Sequence, residues 1–404
     1  MVNIPKNVLN FNNFYILLIF TLPFGEAFKF PFLILSFIFY LKERKFKEVE
    51  WKKNYAFIFF ILFTSFLYIK EIFYGSLLDD FDLNGKLFVI FFLIQFSLVF
   101  KNKIKGEKAF ILGVIVSIIL SSINIVIHYI NNQEIPLSSG NIVNDLLQIS
   151  RPHLGIFIVT SLFIILKNIS SGVFSKAYYG LAFVQFAFVV FISARLAIGL
   201  SLLIILIYIY QKYKKQKKKL GLFAFLTIAL SVIIINNPIL KKRLHIQDGF
   251  KIDIEKTLAY EPRYIIYPCA LGIIENGVPF FGFSGGSEVQ AQLNHCYSES
   301  IERSKKRAFY LEKEFHTHNA FFNFILLGGI PGILLFLGII GYPLISPDYS
   351  IAVKSMLGIF ICFFLVENVL DTDHGSIFFG IFYLYYYKYS LDRNNYDRIN
   401  KSAS

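Results

Sequence analysis

The sequence predicts an all-α polytopic membrane protein with about twelve transmembrane helices and one large extracytoplasmic loop. The chain has 404 residues, of which 55% are hydrophobic and 17% are charged, whereas about 25% of the residues in a typical soluble domain are charged. A soluble domain of this length has too little interior to bury so many apolar side chains. The composition excludes a secreted globular enzyme, a disordered protein and a disulfide scaffold.

The net charge of +13 comes from 40 Lys and Arg residues against 27 Asp and Glu residues. Most of the basic residues lie in short clusters between apolar runs, which is the pattern of a positive-inside membrane topology. We therefore expect these charges to contact membrane lipids and not nucleic acid.

Twelve apolar runs predict helices that cross the membrane, for which about 20 residues is the ideal length. They lie near 14–24, 27–41, 55–73, 87–100, 109–130, 154–166, 178–193, 196–210, 220–236, 319–341, 351–369 and 376–387. We divide the stretch 178–210 at Ser193-Ala194-Arg195, because a single helix of that length would rise about 50 Å. The prediction is a single membrane domain, 1–404, that contains a large periplasmic loop at 237–317.

Along the chain, loops rich in basic residues alternate with loops that are acidic or polar. The basic loops lie at 42–53, 101–108, 167–176 and 212–219, and the others at 79–82 and 131–153. Because basic loops remain in the cytoplasm, both termini are predicted inside and the loop 237–317 outside. Lys241, Lys242 and Arg243 oppose this orientation, but long loops cross the membrane largely regardless of charge.

A polar motif, His316-Thr317-His318-Asn319, opens the apolar run that ends in Gly328-Gly329-Ile330-Pro331-Gly332. On a continuous helix Gly329 and Gly332 would lie near the same face as His318. Small residues on one face predict close packing of a second helix. The simpler alternative is a histidine at the membrane interface above an ordinary glycine packing face.

These residues also carry a family resemblance. His318-Asn319, followed after nine residues by Gly329-x-x-Gly332, resembles the signature of the O-antigen ligase and polymerase family of bacterial surface-polysaccharide transferases. Arg195, in the sequence Ser193-Ala194-Arg195-Leu196, is similar to the arginine that this family has at the outer end of a mid-protein helix. The resemblance covers residues 150–387 well and the earlier spans by topology only.

The start of the large loop resembles the same family. Arg263 precedes a short helical stretch and then 276–285, which is similar to the family's turn of Asn, Pro and Gly residues. Val278 and Phe283-Ser284 interrupt that turn pattern, and Tyr267 stands where the family often has Trp.

The resemblance implies a glycosyltransferase of the bacterial inner membrane. Such an enzyme moves a glycan from undecaprenyl diphosphate to an acceptor hydroxyl at the periplasmic face. His318 would be the general base, and Arg195 and Arg263 would bind the diphosphate. Back-side attack would invert the anomeric carbon. The resemblance is to metal-independent enzymes, so we expect neither a metal nor another cofactor.

Four further residues are weaker candidates for substrate binding. They are Arg151, His153, Asn319 and Glu367. Glu367 falls within the eleventh apolar run, where a carboxylate is costly and is expected to orient an Arg or a His. Each arginine also has a simpler interpretation. Arg195 would extend its side chain to the membrane interface, and Arg263 would be a solvated loop charge paired with Glu261.

Two acidic clusters offer a rival site. Asp79-Asp80-Phe81-Asp82 is superficially similar to the metal-binding Asp-x-Asp of other membrane glycosyltransferases, and Asp371-Thr372-Asp373-His374 is a second oxygen-rich position. Both are also typical of ordinary solvated loops. Cys269 and Cys296 lie in one hydrophilic stretch and can pair if that stretch is extracytoplasmic, although nothing in the sequence requires it.

Three functions stay open at this point. A ligase would use a lipid A–core sugar as acceptor, and a polymerase would use the end of a second lipid-linked glycan. The basic loop residues favour the phosphate-rich core of a ligase acceptor, although anionic bilayer lipids explain them equally well. These residues are Lys241, Lys242, Arg243, Lys305, Lys306 and Arg307. The third function, a non-enzymatic polysaccharide flippase or transporter, usually shows paired repeats, and we find none.

Overall fold

The computed structural model describes residues 9–50, 54–78, 80–133, 140–216, 218, 221 and 262–387. Over these residues the protein is all-α and contains no strand. Apart from residue 221, the predicted span 220–236 lies outside the described residues, as do Asp79, Lys241, Lys242, Arg243 and Glu261.

Fifteen α-helices can be followed in the described part of the chain. They are α1 (Phe11–Thr21), α2 (Glu26–Lys42), α3 (Tyr55–Tyr74), α4 (Phe81–Val99), α5 (Lys103–Asn132), α6 (Gly140–Leu146), α7 (Arg151–Ser170), α8 (Tyr178–Phe191), α9 (Arg195–Tyr213), α10 (Arg263–Glu275), α11 (Gly286–Ser300), α12 (Ser304–Lys313), α13 (Ala320–Ile345), α14 (Ile351–Phe364) and α15 (Asp373–Phe382).

Six of these helices are long and apolar enough to cross a membrane, namely α3, α4, α5, α7, α9 and α13. Three more, α1, α8 and α14, are apolar but shorter. The prediction of a polytopic α-helical membrane protein is therefore confirmed, while the count of twelve spans stays a prediction.

The chain divides into two compact units. One consists of Met1–Phe39 and Lys101–Leu258, and the other of Tyr40–Phe100 and Ala259–Ser404. In the first unit α1 packs against α5, and α7 packs against α8 and α9. In the second unit α3 packs against α13, α4 against α15, and α10 against α11.

The division predicted at residues 193–195 is confirmed. Helix α8 ends at Phe191 and α9 begins at Arg195. Between them Ser193 has a φ of 54°, a left-handed conformation that a helix does not continue through. Arg195 is thus the first residue of a new helix.

Helix α13 is interrupted at Gly329, which has φ 58° and ψ −152°. Residues 280–286, which we call the inserted segment and which end at the first residue of α11, lie against this break. The main-chain N–H of Ile330 donates to the carbonyl of Phe280 at 3.0 Å, and that of Phe283 donates to the carbonyl of Leu326 at 2.9 Å. The inserted segment therefore satisfies main-chain groups on both sides of the interruption.

The prediction of a continuous helix with Gly329 on a packing face is wrong. An added Cβ at Gly329 would lie 2.1 Å from the carbonyl oxygen of Phe280, so Gly329 meets the inserted segment and not a second helix. At Gly332 an added Cβ would lie 3.5 Å from the Phe66 ring of α3. The prediction from helical spacing failed because it assumes regular helical dihedral angles throughout the run.

Gly329→Ala is expected to destabilise the protein by about 3 kcal/mol or more. The residue would keep dihedral angles that are essentially restricted to glycine and would also collide with the inserted segment. The midpoint of thermal unfolding in detergent measures the effect. Gly341→Ala in the same helix is the matched control, because an added Cβ there meets nothing within 4 Å. Equal midpoints for the two variants would contradict this account of the break.

Cys269 of α10 and Cys296 of α11 form a disulfide, with their Cα atoms 5.7 Å apart. The sequence left this pairing open. The bond joins two helices of the large loop and closes a separation of 27 residues. Disulfides persist mainly in oxidising compartments.

Cys269→Ser is expected to lower the free energy of unfolding by about 3–4 kcal/mol, the chain-entropy value for a loop of this size. Cys362→Ala is the control, because Cys362 is a free cysteine. Thermal unfolding under non-reducing conditions compares the two variants. A Cys269→Ser protein as stable as the Cys362→Ala protein would count against a stabilising disulfide.

Candidate active site

His318 lies immediately before α13 and is held in an unusual backbone conformation. Its φ is 46°, in the left-handed region that costs a non-glycine residue about 1–3 kcal/mol. The next residue, Asn319, caps α13: its Oδ1 accepts hydrogen bonds from the main-chain N–H groups of Phe321 and Phe322 at 2.9 and 3.2 Å. The start of the helix therefore fixes the position of the histidine.

Glu367 bridges His318 and Arg263. One carboxylate oxygen, Oε2, lies 3.0 Å from Nδ1 of His318, and the other, Oε1, lies 2.8 Å from Nη2 of Arg263. The glutamate side chain is 14% exposed, whereas those of His318 and Arg263 are 30% and 31% exposed. The carboxylate is thus largely buried, and the two groups that it orients reach the surface of this unit.

The contact with Glu367 determines which ring nitrogen of His318 can act as a base. A carboxylate accepts a hydrogen bond from a protonated Nδ1, which leaves the lone pair of neutral imidazole on Nε2. No described residue forms a hydrogen bond with Nε2. The arrangement can therefore take a proton at Nε2 from a hydroxyl group.

Three side chains of the site hold the end of α14. Arg263 donates from Nε and Nη2 to the carbonyl of Val366 at 3.1 and 2.9 Å. The carbonyl of Leu365 lies 2.7 Å from the Tyr267 hydroxyl and accepts from Nδ2 of Asn319 at 3.2 Å. These contacts satisfy the carbonyls of the first two residues after α14, Leu365 and Val366.

The predicted span 351–369 is too long. Helix α14 ends at Phe364, and Glu367 lies in the turn that follows and not within a membrane helix. Leu365 and Val366 continue the apolar run past the helix end, so hydropathy does not place the boundary at Phe364. The turn is stabilised instead by the donors of Arg263, Tyr267 and Asn319.

Thr317 and Asn368 also support the site, although the sequence assigned no role to either residue. The hydroxyl of Thr317, which is fully buried, lies 3.1 Å from Oδ1 of Asn368 and 3.1 Å from the main-chain oxygen of Asn319. Each is the chain neighbour of a site residue, Thr317 of His318 and Asn368 of Glu367. Their adjacency to the two motifs is the only sequence signal that marks them.

Arg195, Arg151 and His153 lie in the other unit, at the starts of α9 and α7. An added Cβ at Gly155 of α7 would lie 3.0 Å from Cβ of Ala197 and 3.6 Å from Cβ of Ala194. The first turns of α7 and α9 are therefore in contact, which brings the two arginines to adjoining helix starts. Helix amino-terminal ends carry partial positive charge and favour anions.

His153 makes a local contact at this position. Its Nδ1 lies 2.7 Å from the Ser150 hydroxyl. The main-chain N–H of Arg151 donates to Oδ1 of Asn144 at 3.1 Å. These contacts order the first turn of α7 beside α9.

Lys86 of α4 contacts Asp82 of the first acidic cluster and both aspartates of the second. Its Nζ lies 2.5 Å from Oδ2 of Asp82, 3.9 Å from Oδ1 of Asp371 and 4.0 Å from Oδ1 of Asp373. Burial raises the pKa of the Asp371 carboxyl, and the Lys86 charge opposes that rise. The described residues contain no group of three or more His, Cys, Asp or Glu side chains placed to hold a metal ion.

Residues 180–337 match the family model described as O-antigen ligase. The resemblance to the O-antigen ligase and polymerase family is confirmed. The matched segment contains Arg195, Arg263 and His318. No curated protein matches the chain.

The family match and the apolar helices together indicate a membrane glycosyltransferase of the O-antigen ligase or polymerase type. Proteins of this type act in a membrane on a lipid-linked glycan and an acceptor.

Proposed function

We propose that the protein transfers a glycan from undecaprenyl diphosphate to a hydroxyl of a lipid A–core sugar at the periplasmic face of the bacterial inner membrane. The observation that carries this proposal is the contact of Glu367 with both His318 and Arg263. A buried carboxylate that orients an imidazole is the arrangement expected of a general base.

The proposed reaction is a single displacement. Nε2 of His318 takes the proton of the acceptor hydroxyl as its oxygen forms a bond to the anomeric carbon. The bond from that carbon to the diphosphate oxygen breaks on the opposite side, so the anomeric configuration inverts. Undecaprenyl diphosphate leaves with the electron pair.

Arginines take the role of neutralising the diphosphate in this proposal. Guanidinium groups match phosphate oxygens in a two-point geometry. Arg195 is supported by its place at the start of α9, where the helix dipole also favours an anion. We assign Arg263 a charge role beside its contact with Glu367, and we keep Arg151 and His153 as further substrate-binding residues. No metal or other cofactor enters the proposed step.

The periplasmic placement of the loop 237–317 is part of the proposal. The Cys269–Cys296 disulfide supports it, because an oxidising compartment favours such a bond. The basic clusters of the alternate loops support the same orientation, with both termini in the cytoplasm. The proposal treats 1–404 as a single membrane domain.

The choice of a ligase over a polymerase rests on the basic residues of the loop. Lys305, Lys306 and Arg307 belong to α12, beside the loop that leads to His318. An O-antigen or exopolysaccharide polymerase is the alternative, and a non-enzymatic flippase is the alternative from another class.

Deletion of the gene separates these functions. Loss of a ligase should leave long lipid-linked glycans that are not attached to core. Single repeats on the core without a ladder would identify a polymerase. The purified protein should transfer glycan from a polyprenyl diphosphate donor in excess EDTA. Wild-type protein that binds the donor and never transfers the glycan would favour the flippase.

Arg195→Lys is expected to lower the transfer rate about tenfold or more, and Arg195→Ala about 10²–10³-fold, because lysine keeps the charge but loses the two-point contact. The initial rate of transfer by purified protein measures both. Arg303→Lys is the control, since Arg303 is an exposed loop residue. A wild-type rate for the Ala variant would mean that Arg195 only reaches towards the membrane interface.

A further inference from the structure

Lys70 is a buried cation in α3 for which neither the sequence motifs nor the proposed reaction gives a role. Its side chain is 5% exposed, and α3 is long and apolar enough to cross a membrane. Its Nζ donates to the carbonyl of Phe283 at 2.7 Å and to the carbonyl of Leu327 at 2.7 Å. A charge in such a helix is costly, so a specific role is expected for it.

The two carbonyls that Lys70 binds belong to different chain segments. Phe283 is in the inserted segment, and Leu327 is in the last turn of α13 before its interruption at Gly329. The carbonyls at an interruption have lost their partners within the helix, and water is not available to replace those partners at membrane depth. The ammonium supplies donors to both segments at once.

Two neighbours of Lys70 hold the same segment. The Ser76 hydroxyl donates to the carbonyl of Ser284 at 2.6 Å, and Oδ1 of Asp80 accepts from the main-chain N–H of Gly286 at 2.7 Å. On the far side, Glu288 accepts hydrogen bonds from the hydroxyl and the main-chain N–H of Ser284, which lower the pKa of the Glu288 carboxyl. The inserted segment is thus tied through Phe283, Ser284 and Gly286 to α3 and to the connection between α3 and α4.

The first part of α13, residues 320–328, connects this anchorage to His318. It rises about 13 Å from the interruption to the histidine. A tilt of about 5° at Gly329 would therefore displace His318 by about 1 Å. A misplacement of about 1 Å can cost a reaction about 10²-fold.

We infer that Lys70 is a positioning residue, which places His318 for catalysis by holding the inserted segment against the interrupted helix α13. This inference rests on the proposed function, since it assigns a role towards the general base. It identifies the α3 helix as a support of the active site.

Lys70→Met tests the inference, because methionine keeps an apolar side chain of similar length and removes the ammonium. We expect kcat for glycan transfer to fall about 10–10²-fold with an unchanged KM for the donor. Lys105→Met, at an exposed position of α5, is the matched control and should keep the wild-type rate. A folded Lys70→Met protein with wild-type kcat would overturn the inference.

A double variant separates positioning from a general loss of structure. In the His318→Ala background Lys70→Met should have little further effect on the residual rate, because the group that it positions is absent. If Lys70→Met instead lowers the rate by the same factor in both backgrounds, its role is structural and the inference is wrong.

Chemical modification of His318 does not require turnover, so it tests the positioning role independently of the proposed function. The rate at which diethyl pyrocarbonate modifies His318, followed by mass spectrometry, should change in Lys70→Met and return towards the wild-type value in Lys70→Arg. If wild-type protein shows no transfer, the proposed function fails, and an unchanged modification rate in Lys70→Met would separately refute positioning.

If Lys70→Met does not fold, Ser76→Ala replaces it: a several-fold lower kcat supports the inference, and wild-type kcat overturns it.

Discussion

His318→Ala is expected to lower the rate of glycan transfer by about 10²–10⁴-fold, the usual contribution of a general base. The variant should remain folded, because the cap of α13 is formed by Asn319 and not by the imidazole. Transfer from a polyprenyl diphosphate donor by purified protein in lipid nanodiscs measures the rate. Size-exclusion chromatography and the thermal midpoint verify the fold.

The control for this prediction is another histidine of the same loop. His295 lies on α11, and its side chain is 66% exposed and within 3.5 Å of Glu299, so His295→Ala should keep the wild-type rate. His316→Ala tests the neighbour two residues away. Wild-type transfer by His318→Ala together with a loss in His316→Ala would move the role of base to His316.

Glu367→Gln is expected to lower transfer by about 10²–10⁴-fold while nearly preserving the shape of the side chain. Glutamine can donate a hydrogen bond to Nδ1 of His318, which would place the ring proton on Nε2 and remove the base. The comparable Asp-to-Asn change in a serine protease triad lowers kcat about 10⁴-fold for this reason. The same variant removes the ion-pair partner of Arg263.

The kinetic assay with Glu367→Gln has a matched control in Glu275→Gln, because Glu275 is an exposed residue at the end of α10. Glu367→Asp keeps the charge and should retain more activity than Glu367→Gln. A Gln variant with wild-type kcat would show that His318 does not depend on the carboxylate for its role.

Much of the helical organisation could be predicted from the sequence. The runs of apolar residues identified α3, α4, α5 and α13, because each is long enough to cross the hydrocarbon layer and too apolar to remain in water. The division before Arg195 followed from length alone. The interruption of α13 could not be predicted in this way, since hydropathy averages over a run and does not respond to the dihedral angles of Gly329.

The partners of the site residues required the tertiary structure. The sequence predicted that Glu367 would orient an Arg or a His, because an unpaired carboxylate in an apolar run is costly. It did not show that Glu367 contacts both Arg263 and His318, which are 104 and 49 positions away in the chain. The turn after α14 decides those contacts, and hydropathy does not give the backbone directions of a turn.

The sequence by itself determined the class of protein, the approximate helices and the candidate catalytic and binding residues, because these follow from composition, length and local spacing. Only the tertiary structure decided which of those residues meet. Lys70 and Phe283 are 213 positions apart, and their contact depends on how a loop enters the interruption of a distant helix. The physical reason is that burial cost can be estimated from a residue type and its neighbours, whereas hydrogen-bond partners depend on backbone directions that long-range packing determines.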